Sequence, residues 1–394
     1  MRLTRLLALA ACFLGMAAPA AEPIRIGVSG PFTGGSSPMG LSMRDGIRIA
    51  ADEINAAGGL LGRPVQLVER DDEARNERGA QVAQELIRKE RIVAAVGIVN
   101  TGVALASQRH YQEARIPVIT AVATGSVVTR QFLPPQHPDN FVFRMSANDT
   151  IQAAMIVEEA VERRHFRRLA ILADSTNYGQ LGRDDLLRVL EKKGIRPVAV
   201  EQFHIRDIDM SRQLLRARQA GAETLLLYGI GPELAQIANG AAKLGWQVPI
   251  IGGWPLSMSN FIDSAGPNGE GATMPQTFIQ EADTPKRAAF IAAWQKRARS
   301  ERMPSPSAAA QGYDGMHLLA AAIRQAGTTH GSRVREALED LKEKVEGVIM
   351  TYERPFSRSD HETIDSPGQV VMGEVRGGRV VRAHDDNNRK KAAK

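Results

Sequence analysis

The sequence predicts an α/β protein of two stacked lobes, each a parallel sheet flanked by helices. Three observations carry that expectation. Apolar strand-like runs alternate with helical patterns through most of the chain, 394 residues suffice for two domains of ordinary size, and 43% apolar residues supply two cores. No short-period repeat is visible, which argues against a solenoid.

The first residues give Arg2 and Arg5, an apolar stretch from Leu6 to Ala18 and a small-x-small site at Ala18-Pro19-Ala20, so residues 1–21 read as a secretory signal cleaved near Ala21. A bilayer span needs roughly 20 apolar residues, and this stretch is too short. Leu9-Ala10-Ala11-Cys12 also spells a lipobox. Cleavage there would leave only Leu6 to Ala11 as the apolar region and strand Phe13, Leu14 and Met16 on the mature terminus, so a free exported protein is preferred to one acylated at Cys12. Cys12 is the only cysteine, and the mature chain is expected to form no disulfide, thiolate metal site or cysteine nucleophile.

Ile24, Ile26 and Val28 begin a strand, after which Gly30, Pro31, Gly34 and Gly35 interrupt regular structure and leave backbone N–H groups able to face an anion. Ile47, Ala50, Ala51 and Ile54 form the core face of the next helix, with Asp52 and Glu53 on its solvent side and Gly58-Gly59 at its left-handed stop. Gly62-Arg63-Pro64 turns the chain into the strand at 65–68. Asp71-Asp72 then closes that strand; neighbours on an extended chain point to opposite sides, so a solvated pair is expected rather than an acid–base couple.

Further strands are predicted at 92–96, 116–120, 169–172, 197–200, 224–228 and 248–251, with helices at 79–89, 150–163, 182–193, 211–220 and 233–244. Helical patterns at 285–300, 308–326 and 333–342 follow without an intervening strand, so this region is expected to return and cover the first lobe. Strands at 347–352 and 369–375 precede a polar tail, 384–394, which reads as a frayed terminus.

The net charge of +6 is matched by Arg2 and Arg5 of the signal with Arg389, Lys390, Lys391 and Lys394 of the tail, so the folded body is near neutral and nothing implies nucleic acid. Enzyme motifs are missing: there is no GxSxG, HExxH or GxxxxGK[ST], and the eight histidines lack ligand spacing. Gly229-x-Gly231 follows a strand, but Leu234 replaces the third glycine of a dinucleotide fingerprint. His361-Glu362 reads as a turn.

Open α/β sheets take ligands beyond the C-terminal ends of their strands. The loops there are 97–102, with Asn100 and Thr101; 121–126, with Ala123, Thr124 and Ser126; 174–179, with Tyr178; and 228–231, with Ile230. Asn100, Thr101, Thr124 and Ser126 suit either helix capping or the capture of a carboxylate at a helix N-terminus.

Residues 45–75, DGIRIAADEINAAGGLLGRPVQLVERDDEAR, resemble the N-terminal signature of periplasmic solute-binding proteins of branched-chain amino acid type ABC transporters. The likeness continues at 94–102, 116–124, 143–152, 178–180 and 249–253, in the family's order. It implies the type I periplasmic binding fold: two Rossmann-like lobes, 24–144 plus 276–348 and 145–275 plus 349–383, joined by a hinge that the chain crosses three times. It further implies that Thr101, Ala123 and Thr124 hold a ligand carboxylate with Asn100 nearby, that Met39 faces the ligand, and that Tyr178, Ile230 and Trp254 close over it from the second lobe. Trp254 stands where amino-acid binders of the family place an acid for the ligand's ammonium, which favours an amine-free, apolar or aromatic carboxylate over an α-amino acid. The expected role is ligand capture without catalysis, cofactor or metal, by a periplasmic monomer that delivers an amino acid or related small carboxylate to an inner-membrane ABC permease. A sensor docking on a receptor and an α/β cleft enzyme such as an amidase are the alternatives.

Overall fold

Strand β1 (Ile24–Gly30) is an interior strand of the first sheet, with Ile24, Ile26 and Val28 buried. In a computed structural model of the chain, which describes residues 22–384, β1 pairs in parallel with β2 (Val65–Asp71) and β3 (Ala94–Gly97). β4 (Val118–Thr120) and β5 (Val142–Arg144) extend the sheet to the order β2-β1-β3-β4-β5, parallel throughout. The signal, Cys12 and residues 385–394 lie outside the described residues. No described helix is long and apolar enough to cross a membrane.

Helix α1 (Ser37–Ala56) buries Ile47, Ala50, Ala51 and Ile54, and ends where Gly58 and Gly59 take positive φ. α2 (Asn76–Arg88) and α3 (Thr101–Glu113) pack together on the sheet's other face. The chain then crosses to a second sheet of order β14-β13-β10-β9-β8-β6-β7. Its parallel part is β6 (Leu169–Asp174), β7 (Ala199–Phe203), β8 (Thr224–Tyr228), β9 (Ile250–Gly252) and β10 (Thr273–Gln276). α4 (Asp149–Glu158), α5 (Asn177–Lys192), α6 (Ser211–Gln219), α7 (Gly231–Lys243) and α8 (Ser259–Ala265) surround it.

Helices α9 (Pro285–Ala298), α10 (Pro306–Ala326) and α11 (Gly331–Glu339) then return to the first sheet, as the broken alternation predicts. α10 lies directly on α1. A Cβ on Gly46 would sit 2.0 Å from the Ala309 carbonyl oxygen, and one on Gly312 2.4 Å from that of Met43, so only glycine permits this backbone approach. Burying an Ile such as Ile47 in that seam contributes about 1.5–3 kcal/mol. Glu53 of α1 does not simply face solvent, because its carboxylate accepts from Tyr313 Oη at 2.6 Å and ties α1 to α10.

The short strands β11 (Val345–Glu346) and β12 (Thr351–Tyr352) form a hairpin; β13 (Val371–Arg376) joins the second sheet antiparallel to β10, and β14 (Arg379–Arg382) finishes it antiparallel to β13. The stretch from Tyr352 to Thr363, expected with the second lobe, packs on the first. Tyr352 donates to buried Asp314 at 2.9 Å, Phe356 meets Phe143 at 4.9 Å, and His361 stacks on Phe143 at 3.9 Å. His361-Glu362 is therefore no exposed turn. Residue 362 forms a parallel bridge with Arg144, and the Glu362 carboxylate receives Nε and Nη2 of the fully buried Arg144 at 2.6 Å each.

The solvated pair expected at Asp71-Asp72 is also corrected. Asp72 is buried, accepting from Ser29 Oγ at 2.9 Å and from the Ala74 N–H at 3.0 Å, while Asp71 anchors the Phe32 N–H at 2.9 Å. The two do point apart: the glycine-rich loop sits on Asp71 through Phe32 and Thr33, whereas Asp72 is turned inward onto Ser29 of β1. That burial raises its pKa to about 6.

Candidate functional site

Each sheet has one place where strand order reverses, between β1 and β3 in the first and between β6 and β8 in the second. The loops that leave those strands diverge and open a crevice at their C-terminal ends. The two crevices face each other across a cavity of about 540 Å³. Gly34, Gly35, Ser36 and Asn100 line it from the first lobe; Thr176, Ile230 and Pro232 line it from the second. The lobes touch at this mouth, where Asn260 Nδ2 donates to the Gly35 carbonyl at 2.9 Å and Asn76 Nδ2 to Asn177 Oδ1 at 3.4 Å.

On the first lobe, Asn100 stands at the N-cap of α3 without capping it. Its Nδ2 donates to Ser36 Oγ at 3.1 Å and its Oδ1 is buried without a partner. Capping is thus not what holds this side chain. Thr101 Oγ1 accepts from the Gly125 N–H at 3.2 Å, joining the loop after β3 to the loop after β4. Ala123 and Thr124 are buried in that second loop. Arg144 Nη1 donates to the Gly125 carbonyl at 2.7 Å, so the ion pair with Glu362 also fixes the loop from beneath. Met39 is buried in the same apolar cluster as Tyr178, Ile230 and Trp254.

On the second lobe, Thr176 caps α5 and sets Tyr178 in its first turn. The Tyr178 ring lies 5.0 Å from that of Tyr228 at a 48° tilt, and its hydroxyl is buried with no hydrogen-bond partner. Its pKa is pushed well up by burial and by Asp149 and Asp174. Ile230 precedes α7 at the cavity wall. Trp254 begins a short 3-10 helix, with its N–H 3.3 Å from Gln152 Oε1, and closes the hinge side with Thr124, Ser146, Ala147 and Gln311. Of the eight residues singled out in the sequence, Asn100 and Ile230 line the cavity at the mouth and Thr124 and Trp254 line the small pocket on the hinge side, while Met39, Thr101, Ala123 and Tyr178 line neither.

Sequence reasoning left out Asp149 and Tyr228. Asp149 is fully buried at the start of α4, its N–H bound to the Thr124 carbonyl at 2.9 Å. Its Oδ1 accepts from Tyr228 Oη at 2.9 Å and its Oδ2 has no partner. Burial raises its pKa to about 7, with the like charge of Asp185 adding to the shift. The available signal was Asp149 in the run NDTIQ, one residue past the helix cap Asn148, a place that ordinarily means only a favourable helix-dipole contact. No cluster of metal-ligating side chains occurs among the described residues.

The model of the family described as periplasmic binding protein matches residues 23–379. A Leu/Ile/Val-binding protein homolog of Brucella melitensis biotype 1 is 28% identical over 333 residues, 84% of this chain and 87% of the relative. Two solved structures have the same fold. A branched-chain amino acid transporter substrate-binding protein of Streptococcus pneumoniae, in complex with isoleucine, superposes with a TM-score of 0.79 at 23% identity over 92% of this chain and 100% of the other. A solute-binding protein of an R. palustris ABC transporter, in complex with 4-hydroxybenzoate, gives 0.79 at 19% over 92% and 95%.

Proposed function

Because the chain belongs to the periplasmic binding protein family, we propose that it is the periplasmic substrate-binding component of an ABC importer, capturing a small carboxylate between its lobes and handing it to an inner-membrane permease. The observation that carries this reading is the facing of the two strand-order reversals across one cavity, with loops of both lobes in its wall. Isoleucine and 4-hydroxybenzoate, held by two proteins of this fold, share a carboxylate on an apolar body.

In this reading the loops around Asn100, Thr101, Ala123 and Thr124 receive the carboxylate, since α3 starts there with no side chain capping its first turn. Met39, Ile230 and Trp254 wall in the apolar body, and Tyr178 closes on it. The moving bodies are 24–144 with 276–363 and 145–275 with 364–383, the third crossing being set after Thr363 by the packing of Tyr352, Phe356 and His361 on the first lobe. A ligand that touches both bodies only when they meet selects the closed arrangement, which a permease can distinguish from the open one.

The test is a thermal-shift screen of amino acids, aromatic acids and short aliphatic acids, followed by X-ray scattering with each hit. A ligand at a hundredfold excess over Kd stabilises by about 2.7 kcal/mol. A hit that shifts melting and compacts the protein supports the reading; a folded protein that no acid stabilises refutes it.

A further inference from the structure

We propose that the loop after β7, through Ile205 and Ile208, is part of the binding site and covers the far end of a carboxylate whose apolar body is longer than that of isoleucine or 4-hydroxybenzoate; this rests on the carboxylate reading above and deepens it. The cleft leaves room for such a body at one end only. On the hinge side, Thr124, Gln152, Trp254 and Gln311 close around about 10 Å³, the space of a single water. At the mouth the cavity measures about 540 Å³. At a water's share of about 30 Å³ per heavy atom, an acid of about ten heavy atoms fills roughly 300 Å³, so a longer body has space toward the mouth and none past Trp254.

The second lobe's wall of that cavity is apolar where it meets water. Ile205 and Ile208 line it beside Ile230 and Pro232, with Gly35 and Ala74 contributed by the first lobe. Ile208 is 82% exposed and Ile205 41%, and no large apolar side chain other than Ile208 exceeds 43% among the described residues. An isoleucine left in water forgoes the stabilisation of burial, and its place in a cavity wall marks a contact made when the cavity is filled. The same cavity continues inward to Asn100 and Ser36, so the occupant that meets these isoleucines is the one whose carboxylate the loop of Asn100 receives.

The loop is pinned in this position. Arg206, between the two isoleucines, lies in the left-handed region at φ 76°, which a residue with a Cβ ordinarily avoids. Its N–H donates to Oε1 of the buried Glu233 at 2.7 Å. Glu233 stands in the first turn of α7, the helix that Ile230 precedes, so the strained residue is tied to the element that carries the inner wall. The His204 N–H donates to Asp207 Oδ2 at 2.7 Å, and His204 Nδ1 lies 3.0 Å from Ser175 Oγ in the loop after β6. Strain of this kind persists only where the surroundings over-determine it, and these contacts hold Ile205 and Ile208 at the mouth before a ligand arrives.

The experiment is calorimetric titration of the protein with butanoate, hexanoate, octanoate and decanoate, with benzoate, 3-phenylpropanoate and 5-phenylpentanoate, and with isoleucine. Affinity should rise about threefold to fourfold for each methylene that comes to lie along the isoleucines. Ile208→Ser, a change at an exposed position that folding tolerates, should cost the longest acids about tenfold, with a loss that grows with length. Glu233→Ala, which releases the Arg206 N–H, should flatten the same length dependence, and Glu233→Gln, which keeps an acceptor, should restore it. Isoleucine or the short acids binding more tightly than every long one, or a length dependence that survives Ile208→Ser, would overturn the assignment while leaving the carboxylate reading in place. So would an Ile208→Ser variant altered only in its sedimentation mass, which would give the isoleucines to a second copy of the chain. Failure of every acid to bind folded protein would overturn both readings.

Discussion

Tyr228 donates its hydroxyl to Asp149 Oδ1 at 2.9 Å where the cleft meets the hinge. Asp149 also hangs by its N–H from the Thr124 carbonyl, so a single residue joins the proposed carboxylate loop of the first lobe to the aromatic wall of the second. Opening the cleft must strain or preserve that junction, and the substitutions below bear on it and on its surroundings.

Tyr178→Phe should leave stability unchanged or raise it by about 1 kcal/mol, because it removes a buried hydroxyl that has no partner in the chain. If that hydroxyl meets the ligand, affinity should fall about tenfold. Melting curves and calorimetry on the same samples separate the two effects; a loss of stability with unchanged affinity would assign the residue to the core alone.

Thr101→Val should cost about 1–3 kcal/mol, since the buried Gly125 N–H loses its only side-chain acceptor. Affinity should fall with it as the loop after β4 shifts. Thr101→Ser keeps the hydroxyl and should restore both, which urea unfolding and a binding titration can check.

Gly102→Ala places a methyl 2.7 Å from Asn177 Oδ1 of the other lobe and 2.4 Å from Asn76 Oδ1. Alanine is the better helix former by about 1 kcal/mol, so the variant should fold well yet close poorly. Weaker binding and smaller ligand-induced compaction in X-ray scattering are expected; wild-type compaction would show that the lobes meet differently.

Arg144→Met should destabilise the protein by about 3–5 kcal/mol by leaving Glu362 without its buried partner and the Gly125 carbonyl without a donor. The double variant Arg144→Met with Glu362→Leu should recover much of that loss, and a chemical-denaturation cycle measures it.

Stability should also depend on pH through Asp149. Its pKa is about 7 in the folded state against an ordinary value of 3.8, so the folded protein holds a proton that the unfolded chain releases between those values. The contribution is full below about pH 4 and is lost as pH rises through 7. Compared with Asp149→Asn, the ligand-free wild type should therefore lose melting temperature between pH 5 and pH 8, a scale on which one pKa unit is about 1.4 kcal/mol. A constant difference between the two proteins would mean that the carboxyl titrates normally.

The sequence by itself determined the layered α/β class, because apolar runs alternating with amphipathic helices can bury their faces only as sheets covered by helices. It located β8 at Thr224–Tyr228 to the residue and foresaw the return of α9 to α11 to the first lobe. It also picked out the loops after β3, β4, β6 and β8, since strand C-termini are where such sheets open. What only the tertiary structure decided are relations between elements distant in the chain. The Arg144–Glu362 pair spans 218 residues and Tyr228–Asp149 spans 79, separations that no local pattern encodes. Asp149 looks in sequence like an ordinary acid in a helix's first turn, and Asp72 like a solvated strand end. Whether a carboxylate faces water, a hydroxyl or a cleft depends on what the fold packs against it, and that packing gives these two acids raised pKa values and one of them an unpartnered oxygen.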